Sequence, residues 1–441
     1  LSGRAGTFRD MTLLVLYNLA AHLIVLCAAP YLLFRAAFDR NFRPIVRRFW
    51  MRSQNIPVRG LLVHAVSVGE VAAAKSLVFA LQKRFTTIPL VLTTSTPTGQ
   101  TAAKKAFAGR DVSVTFFPFD VSGAVKRALA NIKPRAIILL EAELWPNVVR
   151  QAVAQGIPII LLNGRISGRS VRRYRLIGSL MRNTVRACDA FGVRTREDAR
   201  HLEQLGADPS RITVTGNIKF ESSLISVRDE EKRALVVELG LRDTDRLIVA
   251  GSTHSGEEEI ILGVFKRLKQ RVPELKLLLA PRHIDRVNEV CAAVRRAELN
   301  WVLRTDKRGT SEPRDVIVLN TTGELARLYA LGELAVVGGS FVEGIGGHNP
   351  LEPAAAGVPV LFGPHMENFT DIVETLRRHD ACVETRDAEE LCQKCLDLLT
   401  GPDTRDRIAR NARQAVVSGG GAVAHSVAIV EQVLRARAVL S

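Results

Sequence analysis

The stretch Gly338–Phe369, GGSFVEGIGGHNPLEPAAAGVPVLFGPHMENF, follows the apolar run Leu334–Val337. An apolar run that ends in paired glycines reads as a buried strand turning into a loop. A second glycine-rich turn, Gly344–Gly347, leads through His348 to a helix start. Asn349 is the expected N-cap, Pro350 the first helical residue, and Glu352 the third position of a capping box. Glycines let backbone approach a ligand closely, and a helix N-terminus presents free N–H groups and a positive dipole end. The stretch is therefore expected to hold a phosphate-bearing ligand. The same residues also make a well-capped βα corner with no ligand at all.

Working outward, short apolar runs alternate with helical patterns over most of the 441 residues. The first series is Leu61–Ser67, Pro89–Thr93, Val112–Phe117, Ala136–Leu140, Pro158–Leu162 and Ala190–Val193. The second is Leu247–Ala250, Leu275–Ala280, Val316–Leu319, Leu334–Val337 and Pro359–Phe362. Strand–helix alternation of this kind builds parallel, doubly wound sheets. The expected architecture is α/β with two Rossmann-like domains, residues 35–220 and 221–402, whose facing cleft is the natural ligand site. A helical segment at 403–441 closes the chain.

Residues 1–10 read as upstream sequence. Met11–Phe34 carries no charge and as a helix would span roughly 36 Å, enough to cross the hydrocarbon core of a bilayer. Arg35, Arg40, Arg43, Arg47, Arg48 and Arg52 follow, so the positive-inside rule places the remainder on the cytoplasmic side. A membrane anchor at 11–34 is expected, in preference to a cleaved signal peptide. The net charge of +16 calls for anionic partners. Aromatic residues make up only 5%, and no basic stretch is interleaved with stacking rings, which argues against nucleic acid. The six cysteines are scattered; Cys392 and Cys395 lack a second pair and are expected to be reduced and structural rather than zinc ligands.

Chemistry-bearing residues recur at the ends of the apolar runs. Ser67-x-x-Glu70 fits a capping box, but it also sets a carboxylate at the carboxyl edge of a strand, where a general base is useful. Thr93–Gly99 offers hydroxyls both for caps and for a sugar. Glu141 and Glu143 follow a buried run and are poor core residues unless paired. Asn163–Arg186 holds arginines without lysine, with Arg165, Ser167, Ser170, Arg172 and Arg173 as candidates for a phosphorylated lipid or an anionic bilayer. Lys219 sits at the domain junction, where it is either a phosphate neutraliser or a solvent lysine. In the second half, Gly251–Thr253 remain ligand candidates. Glu257, Glu258 and Glu259 suit a first helical turn, and Arg282 after Pro281 suits a nucleotide phosphate. Neither a Walker A sequence nor a complete dinucleotide fingerprint is present.

Together these motifs resemble the Kdo transferases, membrane-associated enzymes that move 3-deoxy-D-manno-octulosonic acid (Kdo) from CMP-Kdo to the lipid A precursor, lipid IVA. The resemblance covers nearly the whole chain from Met11. It rests on HAVSVGE, TSTPTG, E-x-E-L-W-P-N, NGR-x-S-x-x-S, GN-x-K, GSTH-x-GEEE, PRH, GEL, GGHNPLEPAA and GPHMENF. It implies a two-domain GT-B fold on the cytoplasmic face of a bacterial inner membrane, an inverting transfer, CMP-Kdo as donor, and no metal or other cofactor. By resemblance Glu70 is the proton acceptor, and Glu141 and Lys219 stabilise the transition state, with Glu143 a rival to Glu141. Pro281, Arg282, Gly323, Glu324, Leu325, Asn349, Pro350, Leu351 and Glu352 match the CMP-binding segments. The insertion of Ile345 and neighbouring residues in the glycine turn, GIGGHNP, departs from the family pattern. The alternatives are a GT-B transferase using a UDP-sugar, and a non-catalytic basic protein anchored in a membrane.

Overall fold

A computed structural model describes residues 2–38, 56–224, 227–306 and 314–437, with side chains from residue 12 onward. The chain forms two compact units, one of Leu1–Ser222 with Gly420–Ser441 and one of Ser223–Gly419. Each holds a seven-stranded, wholly parallel sheet.

In the first unit the strands are β1 (Leu61–His64), β2 (Leu90–Thr94), β3 (Val112–Phe116), β4 (Ala136–Leu140), β5 (Ile159–Gly164), β6 (Ala190–Val193) and β7 (Ile212–Val214). Their order is β3-β2-β1-β4-β5-β6-β7. In the second they are β8 (Arg246–Thr253), β9 (Leu275–Pro281), β10 (Trp301–Leu303), β11 (Val316–Val318), β12 (Leu334–Val337), β13 (Val360–Phe362) and β14 (Cys382–Glu384), in the order β10-β11-β9-β8-β12-β13-β14. Every apolar run expected to be a strand is one. The strands β7, β10 and β14 were not expected. They are three-residue edge strands with at most one buried position, so they lack the continuous apolar signal of a strand covered on both faces.

The order switches direction between β1 and β4 in the first unit and between β8 and β12 in the second. Loops from two neighbouring strands diverge there and leave a crevice at the carboxyl edge. Register sets those loops side by side: His64 pairs with Leu139 across β1 and β4, and Gly251 with Val337 across β8 and β12. The close approach in the second unit requires a glycine. A Cβ on Gly338 would lie 2.5 Å from the Ser252 carbonyl oxygen.

The helical segment expected at 403–441 is two helices in different units. It breaks at Gly419–Gly421 into Pro402–Ser418 in the second unit and Ala422–Ala436 in the first. Glu221 fastens the latter, its carboxylate accepting the N–H groups of Gly421 and Val423 at 2.8 and 2.7 Å.

The N-terminal helix runs from Ser2 to Phe38, continuing through the residues read as upstream sequence. Its segment Thr12–Phe38 is long and apolar enough to cross a membrane. Two polar side chains in this segment are held by the first unit. Tyr17 donates its hydroxyl to Asp120 at 2.7 Å, and Asn18 accepts from the Asn147 amide at 3.0 Å. Asp120 in turn accepts the N–H groups of Asn147 and Val148 at the start of the helix Pro146–Ala154. Of the arginines expected to flank the anchor, Arg35 is exposed, and Arg40, Arg43, Arg47, Arg48 and Arg52 lie outside the described residues.

Gly338→Ala is expected to lower unfolding stability by about 1–3 kcal/mol, because backbone rather than a flexible side chain meets the added methyl. Denaturant midpoints at constant m-value measure it, and an unchanged midpoint would contradict the packing described.

Candidate active site

At the reversal point of the first unit, the helix Val68–Arg84 begins just beyond β1 with Ser67 as N-cap. The Ser67 hydroxyl accepts the Glu70 N–H at 3.4 Å, and the Glu70 carboxylate accepts the Val66 N–H at 2.9 Å and the Ser67 hydroxyl at 3.3 Å. Glu70 is thus both a cap and a fixed carboxylate. Its pKa is raised from 4.5 to about 7, chiefly by burial, then by the charge of Glu141 and, more weakly, Glu143. A carboxylate tuned to neutral pH is suited to taking a proton.

Glu141 begins the turn after β4 in the left-handed region, at φ 61°. Residues other than glycine rarely adopt that conformation, and it is tolerated here because two cations hold the carboxylate. Arg194 and Lys219 bind one Glu141 oxygen at 2.5 and 3.1 Å. Burial pushes the Glu141 pKa up, but Arg194, Lys219 and Arg165 together override it and hold the group below the ordinary carboxylate value. One ionised carboxylate therefore stands beside another that resists ionisation. Glu143 belongs to a different setting. Its carboxylate accepts the Trp145 indole N–H at 2.8 Å, and burial raises its pKa.

Arg194 was not among the residues expected. Its guanidinium side chain is only 1% exposed and also donates to the Asn163 carbonyl at 3.2 Å. The available signal was a charged residue directly after the fully buried run Ala190–Val193.

Beyond Arg165, Ser167 and Ser170 are largely occupied by capping. Ser167 accepts the Ser170 N–H at 3.1 Å at the start of the helix Gly168–Leu176, and the two hydroxyls meet at 3.0 Å. Arg172 and Arg173 are exposed on that helix. Ser170 and Arg173 also line a cavity of about 460 Å³ with Glu143, Trp145, Tyr174 and Tyr17 of the N-terminal helix.

In the second unit the expected anion corner is built differently from the sequence reading. The N–H groups of Gly339, Ser340 and Phe341 all donate to Glu257, at 2.6, 3.0 and 2.9 Å, so the protein's own buried carboxylate fills the turn after β12. Gly347 N–H is spent on the Gly339 carbonyl. The helix expected from Pro350 is only Leu351–Ala355, too short to develop much dipole. Asn349 accepts the Leu351 N–H at 3.1 Å, but Glu352 reaches the Asn349 side-chain amide at 3.3 Å and not its backbone, so the reciprocal half of the capping box is not made. Ile345 and its neighbours are stitched to the GPHMENF loop by Asn368, which donates to the Ile345 carbonyl at 2.8 Å.

What remains for an anion at this edge is side chains. Arg282 is exposed after β9 and, among the described residues, has no ion pair. It lies near enough to bear electrostatically on both His348 and Glu352. Burial raises the Glu352 pKa against the opposing pull of Asn349 and Arg282. Pro281 is buried at the end of β9, and Pro350 and Leu351 are buried at the helix start. Gly323 turns with φ 91°, Glu324 accepts the Thr321 hydroxyl at 2.6 Å and pairs with Arg304 at 3.4 Å, and Leu325 packs over Gly251. Among the described residues no group of three His, Cys, Asp or Glu is placed to hold a metal ion, and all six cysteines are free.

A carboxylate whose folded pKa is raised contributes stability that is fully present below about 4.5 and lost as the pH rises through about 7. Glu70→Gln, which cannot ionise, is therefore expected to match the wild type near pH 4 and to exceed it by about 1–3 kcal/mol at pH 8. Chemical denaturation at the two pH values checks this; equal stability at pH 8 would contradict the strained Glu70 charge.

Residues 43–222 match the family model described as 3-deoxy-D-manno-octulosonic-acid transferase, and residues 259–415 match that of glycosyl transferases group 1. The chain is 33% identical to the 3-deoxy-D-manno-octulosonic acid transferase of Haemophilus influenzae, over 83% of this chain and 85% of that one. It is 34% identical to the Bordetella pertussis transferase of the same name, over 84% and 86%. Among solved structures, UDP-GlcNAc 2-epimerase from Neisseria meningitidis superposes with TM-score 0.61 at 14% identity, covering 85% of this chain and 99% of that one. That likeness establishes the two-domain GT-B fold. With the paired parallel sheets and the charged reversal points, these matches identify the chain as a glycosyltransferase belonging to the 3-deoxy-D-manno-octulosonic acid transferase family.

Proposed function

We propose that the protein moves Kdo from CMP-Kdo to the lipid A precursor with inversion at the anomeric carbon, in lipopolysaccharide core biosynthesis. The observation that carries this reading is Glu70, a half-buried carboxylate tuned to about pH 7 beside an ionised Glu141. Glu70 takes the proton of the acceptor hydroxyl as that oxygen attacks the anomeric carbon. The transition state has oxocarbenium character, which the Glu141 carboxylate favours, while Lys219 and Arg194 keep Glu141 ionised and in place.

The second unit takes the CMP moiety. Arg282 meets the phosphate, and Asn349 and Glu352 suit ribose hydroxyls, with Pro281, Gly323, Glu324, Leu325, Pro350 and Leu351 shaping the wall. The backbone corner after β12 is already filled by Glu257, so charge on the departing phosphate is met by side chains. The donor phosphate is a good leaving group, and the base and these cations suffice without a metal in this reading.

The acceptor enters the first unit. The 460 Å³ cavity with Trp145, Tyr174, Ser170 and Arg173 has a mixed apolar and polar lining, with Arg173 as the cation for a phosphorylated lipid and Glu143 tied to the Trp145 indole. Arg165 and Arg172 extend the positive field toward anionic inner-membrane lipids. Tyr17, on the N-terminal helix, lines the same cavity, so the membrane-attaching element and the lipid site are continuous. This supports attachment at the cytoplasmic face of the inner membrane.

Glu70→Gln is expected to reduce transfer by about 10²–10⁴-fold and leave the Kd for CMP within a few-fold of the wild type. Purified protein, CMP-Kdo and tetraacyl lipid A precursor, with products weighed by mass spectrometry, provide the measurement. Normal turnover by that variant would remove Glu70 from the mechanism, and tighter binding of UDP than CMP would favour a UDP-sugar donor.

A further inference from the structure

The loops that diverge at the reversal point of the second unit each carry a histidine. His254 follows β8 and His348 follows β12, and their Nε2 atoms lie 2.8 Å apart with the rings nearly parallel, at 4°. At that distance one Nε2 must donate and the other accept, so the two rings hold a proton in common. The placement is built in. Glu257 accepts the backbone N–H groups of His254 at 2.8 Å and of Gly339 at 2.6 Å, clamping the two loops together. Gly339 leaves room for the second ring, since a Cβ there would lie 2.9 Å from the His348 Cδ2. Among the described residues neither Nδ1 has a hydrogen-bond partner, which leaves both for a ligand.

We propose that His254 and His348 act as one proton-donating pair toward the donor phosphate. The inference rests on the reading that this unit holds CMP. As the acceptor oxygen bonds to the anomeric carbon and gives its proton to Glu70, the anomeric carbon–oxygen bond to phosphate breaks. Its electron pair stays on the phosphate oxygen. The histidine pair, protonated from solvent as the donor binds, gives that proton to the phosphate oxygen; CMP leaves protonated, and the pair returns to its neutral resting form.

The surroundings fit a proton that arrives with the ligand. His254 faces Glu257 and Glu258 of the helix Glu257–Arg271, and His283 and Arg286 from the segment after β9; His348 faces Arg282 and His283 from that segment. Burial first, then Arg282, His254 and His283, push the His348 pKa down to about 4, and burial also lowers that of His254. The empty pair is therefore neutral at pH 7. A phosphate set against Arg282 reverses the local sign of charge and favours the protonated pair.

Calorimetry of CMP binding at pH 7, in two buffers of different ionisation enthalpy, counts the protons taken up. The wild type is expected to take up at least about half a proton more than His348→Gln or His254→Gln. Each variant should still bind CMP within about threefold of the wild type and lose about 10²-fold in kcat. The fall of wild-type kcat at alkaline pH should be absent from both. Equal proton counts with CMP bound would overturn the pair's role and leave the donor site standing. No CMP binding by the wild type would overturn the donor site and the pair with it. If neither variant folds, a wild-type kcat with no alkaline fall is sufficient to overturn the proposal.

Discussion

The ion cluster of Glu141 with Arg194 and Lys219 is the constraint on which the reactive edge of the first unit depends. A carboxylate buried without partners would be protonated at neutral pH. Here Arg194 and Lys219 bind one Glu141 oxygen, and Arg165 adds its field, so the group stays ionised despite burial. That retained charge is one of the reasons Glu70 is reluctant to ionise. The left-handed backbone at Glu141 belongs to the same arrangement, because a normal strand end would not turn the carboxylate toward both cations.

The second unit solves a different problem with a similar device. Three consecutive backbone N–H groups after β12 form a concavity suited to an anion, and Glu257 occupies it. The corner is thereby rigid, and it is unavailable to a phosphate. Arg282, His348, Asn349 and Glu352 lie close to one another at the same carboxyl edge, with Arg282 bearing electrostatically on both His348 and Glu352. In both units a facing pair of polar residues follows the strands that flank the reversal, Glu70 and Glu141 in the first and His254 and His348 in the second, while Arg194 and Arg282 come from strands farther out. A parallel sheet directs all its strand ends to one edge, and only at the reversal do neighbouring loops part.

Much of this was legible from residues alone. The fully buried strands read as unbroken apolar runs, and the cap at Ser67 followed from side-chain type and spacing, whereas the cap made by Ser167 did not. The edge strands β7, β10 and β14 did not announce themselves, because a half-exposed strand of three residues has no periodicity to detect. The break at Gly419–Gly421 is silent for a related reason: the helical pattern resumes in the same style on the far side, although the two helices pack in different units.

The amino-acid sequence by itself determined two doubly wound parallel sheets, an apolar N-terminal helix, and the set of charged residues at strand ends, since apolar period and end chemistry are local properties. It also carried the family. Only the tertiary structure decided which charges meet. Glu141 rather than Glu143 receives Lys219, Arg194 enters the cluster from a strand two places away in the sheet, and Glu257 takes the turn that sequence alone assigned to a ligand. Likewise Tyr17 of the apolar helix finds Asp120, more than a hundred positions along the chain. Such pairings depend on strand order and register, which bring distant residues within a few ångströms, and a one-dimensional pattern does not encode those distances.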